Sequence, residues 1–337
     1  MSHNGFRLGF LNRVYAPAYQ PALYEQTLRL FERAERLGFD SGWLAQHHFA
    51  SEAGRLPAPL VLLGAAAART RHIQLGTSVV VLSQEPPLRV AEDAAVLDLL
   101  AEGRLQLGLG AGFDPDSFAA LGLAVEQRHA LYDDKLQRLQ AALRGAPLND
   151  AGRTLNPPAA GLAGRLWEAT SRVEQVAARG NGLVLAPAAG STSQQQLEQV
   201  ERYRQAWRGP GQPRVALVRA VFPGSDASAE DSSLRQDILR YVERQRRIGI
   251  AHIDPAQGID AVLAGLGVLH GDPARIAEQL AAGPLLGADD QLIVQVQTVS
   301  TAFEEAAESL RRIAESLAPT LGWRPRTSVH STQEQPA

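Results

Sequence analysis

The sequence contains no cysteine among its 337 residues. Disulfide bonds, thiolate nucleophiles, zinc–cysteine centres and cysteine-ligated clusters are therefore excluded. A chain without cysteine is typical of the reducing cytoplasm, where we expect this protein to be. Lysine is almost missing as well, since Lys135 is the only one among 33 basic residues. It lies in a helical pattern far from any glycine-rich turn, which argues against a P-loop and against Schiff-base chemistry.

Long apolar runs and a charge of one sign are also missing. The longest apolar run, from Leu56 to Ala68, contains two prolines and is too short to span a bilayer. The N-terminal residues show no basic segment followed by an apolar stretch, so we expect no signal peptide. The formal net charge is −3. We therefore expect neither a membrane nor nucleic acid as a partner.

Short apolar runs alternate with helical patterns along the chain. Strands are predicted at 6–11, 41–45, 73–82, 105–109, 164–169, 182–186, 214–222 and 291–299, and helices at about 20–37, 57–69, 87–100, 126–143, 172–180, 226–247 and 303–317. About eight strand-then-helix units predict an α/β fold, a single (β/α)8 TIM barrel. We expect the barrel domain to cover 1–323, with a disordered polar tail at 324–337. Long loops at 113–125, 144–163 and 249–272 are predicted to be insertions at the C-terminal face of the barrel.

Two predicted helices, 57–69 and 88–100, are apolar on more than one face. An outer helix of a barrel needs only one apolar stripe, so the excess indicates a buried subunit interface. The alternative is that loops of the same chain cover these faces.

Two adjacent histidines, His47 and His48, follow the second predicted strand. Neighbouring residues of an extended segment point to opposite sides, so the pair does not suit a common metal ion. One of them can project into the barrel mouth as a general acid or base. A purely structural histidine pair is the alternative.

Three further segments follow strands or begin helices. The glycines of 108–112 are not followed by a helix start, so they are a weak dinucleotide motif but a plausible wall for a flat ligand. Ser171 and Glu174 have capping-box spacing, and with Arg172 they suit either a plain helix cap or a phosphate site. Asp272 is predicted to cap the helix that Pro273 begins.

In order along the chain, these segments resemble the luciferase-like flavin-dependent monooxygenases. The stretches that carry the resemblance are GFDSGWLAQHHF (38–49), LGTSVVVLSQEPPLRVAEDAAVLDLLAEGRLQLGLGAG (75–112), LWEATSRVEQVAARGNGLVL (166–185) and GDPARIAEQL (271–280). The tryptophan and histidine pattern of the first stretch is similar to the FMN-using branch, which includes the alkanal monooxygenases of bacterial luciferase.

The resemblance implies specific roles for residues of this chain. His47 matches the catalytic histidine, and Gln46 stands beside it where a glutamate is frequent. Thr77, Ser78 and Val79 match the segment under the isoalloxazine ring, with a non-proline cis bond expected between Ser78 and Val79. The segment that would hold the ribityl and phosphate groups comprises Glu168, Ala169, Thr170, Ser171 and Arg172.

Two positions depart from the family's pattern. Ala111 stands where the family often has an arginine that binds the flavin phosphate. Either Arg172 or Arg128 replaces it, or FMN binds weakly. Gly110 lies in the cofactor segment at the position of a reactive cysteine in the light-emitting members, so light emission is not expected.

The resemblance further implies a two-component FMN-dependent monooxygenase. A separate flavin reductase would supply reduced FMN, which reacts with O2 to form a C4a-hydroperoxyflavin that oxygenates a small organic substrate. Phe10, Phe49 and Phe113 would shape an apolar substrate cavity. A homodimer through the second and third helices is expected. The alternatives are an oxidoreductase that uses the deazaflavin F420, and a flavin-binding protein without turnover.

Overall fold

The computed structural model describes residues 5–16, 18–49, 53–186, 193–247, 249, 253–284 and 286–325. The strands are β1 (Arg7–Asn12), β2 (Ser41–Leu44), β3 (Gln74–Thr77), β4 (Val80–Val81), β5 (Leu105–Gly110), β6 (Leu166–Ala169), β7 (Gly182–Leu185), β8 (Val215–Pro223), β9 (Val268–Gly271) and β10 (Gln291–Gln295). The helices are α1 (Leu23–Arg36), α2 (Pro59–Arg69), α3 (Pro87–Leu100), α4 (Pro115–Ala120), α5 (Arg128–Leu143), α6 (Val173–Arg179), α7 (Ser193–Gln205), α8 (Ser233–Arg247), α9 (Ile259–Leu266), α10 (Pro273–Ala281), α11 (Phe303–Arg312) and α12 (Ala318–Thr320). A π-helical turn, Ile313–Leu317, joins α11 to α12.

The strands form a closed parallel barrel. Its order is β1-β2-β3-β5-β6-β7-β8-β10, and β10 pairs with both β8 and β1, which closes the ring of eight. The short strand β4 continues the line of β3 beside β5, and β9 pairs with the far end of β8. The predicted (β/α)8 TIM barrel is therefore confirmed.

The inside of the barrel is packed around two tryptophans. The rings of Trp43 and Trp167 meet edge to face, with centroids 5.8 Å apart. A Cβ on Gly76 would lie 2.2 Å from the Trp43 ring, and one on Gly182 would lie 2.4 Å from the Trp167 ring. Glycine is needed at both positions because the indoles take the space of a side chain. The indoles thus fill the barrel below its C-terminal mouth.

Alternation along the strands identifies which residues face this interior. Leu11 of β1 pairs with Trp43 of β2, and both belong to the inner apolar cluster together with Ala45. Because side chains alternate with a period of two, Arg13 and His47 continue the inward-facing rows beyond the ends of β1 and β2. The register therefore directs these two side chains toward the barrel mouth.

A larger core lies between the strands and the surrounding helices. Phe10 is 1% exposed and packs there against Phe31 of α1, with ring centroids 5.0 Å apart. The prediction that Phe10 lines a substrate cavity is wrong, because its side chain points outward from the barrel to α1. Phe49 and Phe113 are exposed, at 73% and 46% of their surface.

Helices α2 and α3 carry apolar side chains that nothing in the described parts of the chain covers. Val61 of α2 is 76% exposed, and Leu99 and Leu100 at the end of α3 are 62% and 64% exposed. These residues lie on the two helices that the sequence predicts to be apolar on more than one face.

Several predicted elements differ from the observed ones. The single strand predicted at 73–82 is split into β3 and β4, and the two residues between them, Ser78 and Val79, are joined by a cis peptide bond. The helix predicted from 226 begins at Ser233, and α7 was not predicted. The predicted loop 249–272 contains α9 and β9, while Gly267, at φ 63°, ends α9 in the left-handed conformation that glycine adopts readily.

The end of the described chain is fixed to the barrel. Trp323 is 1% exposed and donates a hydrogen bond from Nε1 to Asp40 Oδ2, 3.0 Å away. Most of the tail predicted at 324–337 lies outside the described residues. Within the part of the chain that the structure describes, no helix is long and apolar enough to cross a membrane.

Candidate functional site

His47 follows β2 at the mouth of the barrel. Its backbone N–H donates to Leu56 O at 2.9 Å, and its ring lies so close to Gly54 that a Cβ there would be 2.6 Å from the ring. The Nε2 atom is buried and has no hydrogen-bond partner among the described residues. Burial, with the positive charges of Arg13 and Arg244, lowers the pKa of His47 to about 3. The imidazole is therefore neutral near neutral pH and is available to accept or share a proton.

His48 points away from His47, as the alternation of an extended segment predicts. Its Nε2 lies 3.3 Å from Glu85 Oε1. The His48 imidazole and the Gln46 amide hold the pKa of the Glu85 carboxyl below its usual value, although burial opposes them. Within the described chain, no group of three or more histidine, aspartate and glutamate side chains is arranged to hold a metal ion.

Gln46 joins three segments at the mouth. Its Nε2 donates to Pro57 O at 2.9 Å and to Glu85 Oε1 at 2.7 Å, and its Oε1 accepts from Val81 N at 2.7 Å. Its backbone N–H donates to Val79 O at 3.2 Å. Both amide protons are used. Gln46 thus contributes to the site through the backbone that it holds in place.

The segment of Thr77, Ser78 and Val79 runs from the last residue of β3 to the start of β4. The peptide bond between Ser78 and Val79 is cis, which confirms the expectation for this position. The Thr77 hydroxyl is buried and bonds with both the N–H and the carbonyl of Gly108, at 2.9 and 2.8 Å. It therefore joins the two strands where their ladder is interrupted.

The glycines of β5 make room for the neighbouring strand. A Cβ on Gly108 would lie 1.9 Å from Thr77 O, and a Cβ on Gly110 would lie 2.7 Å from Val79 Cγ2. The space that the sequence assigned to a flat ligand is thus occupied by the segment between β3 and β4. A role of Gly110 in cofactor binding stays a prediction.

The carboxylate of Glu168 is surrounded by polar groups that donate hydrogen bonds to it. Arg179 donates to both carboxylate oxygens, from Nε at 2.9 Å and from Nη2 at 2.7 Å. Tyr132 and Asn181 donate one further bond each, at 2.9 and 2.8 Å. Burial, followed by the negative charge of Glu168, raises the pKa of Tyr132 well above its ordinary value. The carboxylate is 0% exposed, and these contacts indicate a structural role in place of the cofactor contact that the resemblance implies.

The segment after β6 presents an arginine with one unused nitrogen. Arg172 donates from Nη1 and Nη2 to Asp133 at 2.7 and 2.9 Å, but its Nε is buried without a partner among the described residues. The predicted capping box is wrong, because Arg172 is the N-cap of α6 and no side chain caps that helix. Thr170 Oγ1 instead accepts from Arg172 N at 3.2 Å, and Glu174 pairs with Arg202. By contrast, Asp272 caps α10 as predicted.

Two more basic side chains are close to Arg172. The pKa of the exposed His129 is lowered by partial burial and by the positive charges of Arg128 and Arg172, with Asp133 opposing. Arg128 donates from Nη1 to Val125 O at 3.2 Å. The hydroxyl-bearing Ser171 is exposed beside them. This donor set of two guanidinium groups, an imidazole and a hydroxyl suits a phosphate.

A second cluster at the mouth was missed by sequence reasoning. Arg13 and Tyr15 follow β1, and Tyr241 and Arg244 come from α8. Tyr15 raises the pKa of Arg13, and Tyr241 does so as well. Burial raises the pKa of Tyr241 while the charges of Arg13 and Arg244 oppose it, and the same two charges add to burial in lowering the pKa of His47. These groups therefore lie near one another. Only the position of Arg13 two residues after the inward-facing Leu11 could have revealed it from sequence. Nothing in the pattern of α8 indicates that its last turns reach the mouth.

Comparison with known families gives one match that covers most of the chain. Residues 8–318 match the luciferase-like monooxygenase family. The uncharacterised protein y4wF of Sinorhizobium fredii is 39% identical over 129 residues, which are 38% of this chain and 37% of that protein. The 4-hydroxyprotoasukamycin monooxygenase of Streptomyces nodosus is 37% identical over 115 residues, or 34% of this chain and 31% of the relative. The chain spans less than half of the length of these curated relatives.

Solved structures match nearly the whole chain. The monooxygenase RslO1 from Streptomyces bottropensis has a TM-score of 0.72 at 25% identity, covering 94% of this chain and 100% of that one. The oxygenating constituent of 3,6-diketocamphane monooxygenase of Pseudomonas putida, in complex with FMN, has a TM-score of 0.74 at 19% identity, with 94% and 98% covered. An F420-dependent secondary alcohol dehydrogenase has a TM-score of 0.68 at 15% identity, with 91% and 98% covered. The last two share the fold with this chain.

Proposed function

The chain belongs to the luciferase-like monooxygenase family, and from this premise we propose that it is an FMN-dependent monooxygenase acting on a small organic substrate. Reduced FMN, when bound, would supply the electrons that activate O2. A separate flavin reductase would deliver it, since the chain has no convincing nicotinamide-binding motif. The observation that carries the proposal is a pair of buried, unpartnered nitrogens, His47 Nε2 and Arg172 Nε, which flank β3 and β5 at the mouth of the barrel.

Arg172 is proposed to bind the flavin phosphate in place of the arginine that the family often carries at position 111. Its unpartnered Nε can donate one charge-assisted hydrogen bond without breaking the ion pair with Asp133. Arg128, His129 and the Ser171 hydroxyl would complete the donor set. The residues present therefore fit the phosphate end of FMN.

His47 is proposed to act as the acid–base residue of the site. Its low pKa leaves the imidazole unprotonated, and the burial of Nε2 keeps water from competing for that atom. Gln46 would position it by holding the surrounding segments together. A catalytic role predicts that His47→Ala loses turnover while His48→Ala, which removes one of the two partners of Glu85, retains most of it.

A homodimer through α2 and α3 is proposed as the functional unit. The exposed side chains of Val61, Leu99 and Leu100 form an apolar surface that a second copy would bury.

The first experiment compares the affinities of FMN and riboflavin, which differ only in the phosphate. Fluorescence quenching of each ligand by the protein gives the two dissociation constants. We expect FMN to bind more tightly, and Arg172→Gln to weaken FMN by about 10- to 100-fold while riboflavin changes little, because one or two charge-assisted hydrogen bonds are lost. The matched control is Arg202→Gln, since Arg202 also pairs with one carboxylate but lies on the outer helix α7.

The second experiment mixes the protein and anaerobically reduced FMN with oxygenated buffer. Reoxidation of FMN that is several times slower than that of free FMN would support a monooxygenase that shields the cofactor. Tight binding with reoxidation at the free rate would favour a flavin-binding protein without turnover. Binding of F420 in preference to FMN would refute the proposal and favour a deazaflavin oxidoreductase.

A further inference from the structure

The cluster formed by Arg13, Tyr15, Tyr241 and Arg244 is not used by the cofactor assignments above. Arg13 continues the inward-facing row of β1, next to the position from which His47 follows β2. Both side chains have a buried nitrogen without a partner in the described chain, Nε of Arg13 and Nε2 of His47. The cluster thus combines a partly buried cation, whose Nε is buried, with the proposed acid–base residue.

Among the described residues, the groups that act on Arg13 supply polar contact but no negative charge. The groups that shift its pKa upward are the phenols of Tyr15 and Tyr241, while burial opposes them. The charged groups that act on His47 are Arg13, Arg244 and His48, all of which lower its pKa. Among the described residues, no carboxylate contributes to either shift. A guanidinium N–H that is buried without an acceptor is costly, because it gives up hydration without a compensating hydrogen bond.

We propose that Arg13 binds an anionic oxygen group of the substrate, with Arg244 nearby, so that the substrates of this chain are small carboxylates or related oxyanions. The inference rests on the proposed function, since it names the substrate class of the same site. An oxyanion would accept a hydrogen bond from Arg13 Nε and neutralise the charge of that guanidinium. The phenols of Tyr15 and Tyr241 can donate further hydrogen bonds to it. It would also hold the rest of the molecule near His47.

The position of the cluster separates it from the proposed phosphate site. In the ring of eight strands, β1 lies four strands away from β6 in either direction, so the two are on opposite sides of the mouth. Arg13 follows β1, whereas Arg172 follows β6. One anion does not reach both sites through short contacts, and the Arg13 cluster is therefore free for a group other than the flavin phosphate.

The test uses hexanoate and hexanamide, two probes of the same size that differ in charge. Isothermal titration of each into the full chain, with and without FMN, gives their dissociation constants. We expect hexanoate to bind at least about tenfold more tightly than hexanamide, the size of one charge-assisted hydrogen bond in a buried site. Arg13→Gln should weaken hexanoate by about 10- to 100-fold and leave hexanamide unchanged, whereas Arg13→Lys should keep part of the preference.

The matched control is Arg36→Gln, which removes an exposed arginine at the C-terminal end of α1 and should change neither affinity. If Arg13→Gln does not fold, Arg244→Gln provides an independent variant of the same cluster, and it should also reduce the preference for hexanoate. The proposal is overturned if the wild-type protein binds both probes equally or binds neither. It is also overturned if Arg13→Gln weakens FMN as much as hexanoate, because the cluster would then hold the cofactor. Failure of FMN to bind, with hexanoate binding intact, would instead refute the proposed function.

Discussion

Replacing Glu168 by glutamine tests whether this residue stabilises the barrel or contacts the cofactor. The carboxylate accepts four hydrogen bonds, two of them from Arg179, and has no exposed surface. A glutamine has one oxygen and one NH2 group at the same place. In either orientation the NH2 group faces an N–H of Arg179, so one donor meets another and Arg179 loses its counter-charge.

The expected loss of stability follows from these contacts. Removing one partner of a buried ion pair costs about 3–5 kcal/mol, since the other charge stays buried and unpaired. An unfolding entropy of about 2.1 cal/mol/K per residue gives roughly 0.7 kcal/mol/K for a chain of this length. The melting temperature of Glu168→Gln should therefore fall by about 4–7 °C, and thermal unfolding followed by circular dichroism measures it.

Glu174→Gln provides the matched control for this substitution. Glu174 lies six residues farther along, and its Oε1 is 3.1 Å from Arg202 Nε, with about half of both side chains exposed. The same chemical change there should cost less than about 1 kcal/mol. If Glu168→Gln is no more destabilising than Glu174→Gln, the structural role is wrong. If it also loses affinity for FMN, Glu168 belongs to the cofactor site, as the resemblance implies.

Two further predictions concern the subunit interface and the histidine of the site. The variants Leu99→Glu and Leu100→Glu should convert the proposed dimer to a monomer, as measured by light scattering. Leu121→Glu, on a separate exposed segment, should leave the protein dimeric. A wild-type protein that is monomeric at micromolar concentration would contradict the proposed interface. For His47, the folded-state pKa of about 3 lies below the ordinary value of 6.5, so the unfolded chain binds more protons between these values. Stability is then fully present above pH 6.5 and falls as the pH decreases toward 3. Chemical unfolding of His47→Gln should show a weaker pH dependence than the wild type over that range, and equal slopes would mean that His47 titrates normally.

The sequence was most informative where a local pattern decides the structure. Apolar runs with helical segments between them predicted the barrel, because each strand and each helix must bury one face against the next. The period of two along β2 predicted that His47 and His48 point to opposite sides, and the structure has them so. Asp272 and Pro273 predicted the start of α10, since the cap needs only neighbouring residues.

The sequence was less informative about polar side chains whose hydrogen-bond partners lie far away along the chain. The capping-box spacing of Ser171 and Glu174 suited a local cap, yet the chain places Arg172 at the start of α6. Glu168 was assigned to a cofactor by resemblance, and its four donors come from α5, α6 and the turn before β7. Phe10 was expected at the mouth, but its position in the alternation of β1 turns it toward α1.

The amino-acid sequence by itself determined the barrel, the opposite directions of His47 and His48 and the excess of apolar side chains on α2 and α3. These features follow from periodicity and composition, which act over a few residues, whereas the family resemblance singled out His47. Only the tertiary structure decided which polar groups meet: Arg13 and Tyr15 after β1 come together with Tyr241 and Arg244 from α8. Such a cluster depends on strand register and on where the last turns of α8 lie relative to the mouth of the barrel. No short stretch of sequence encodes either of them alone.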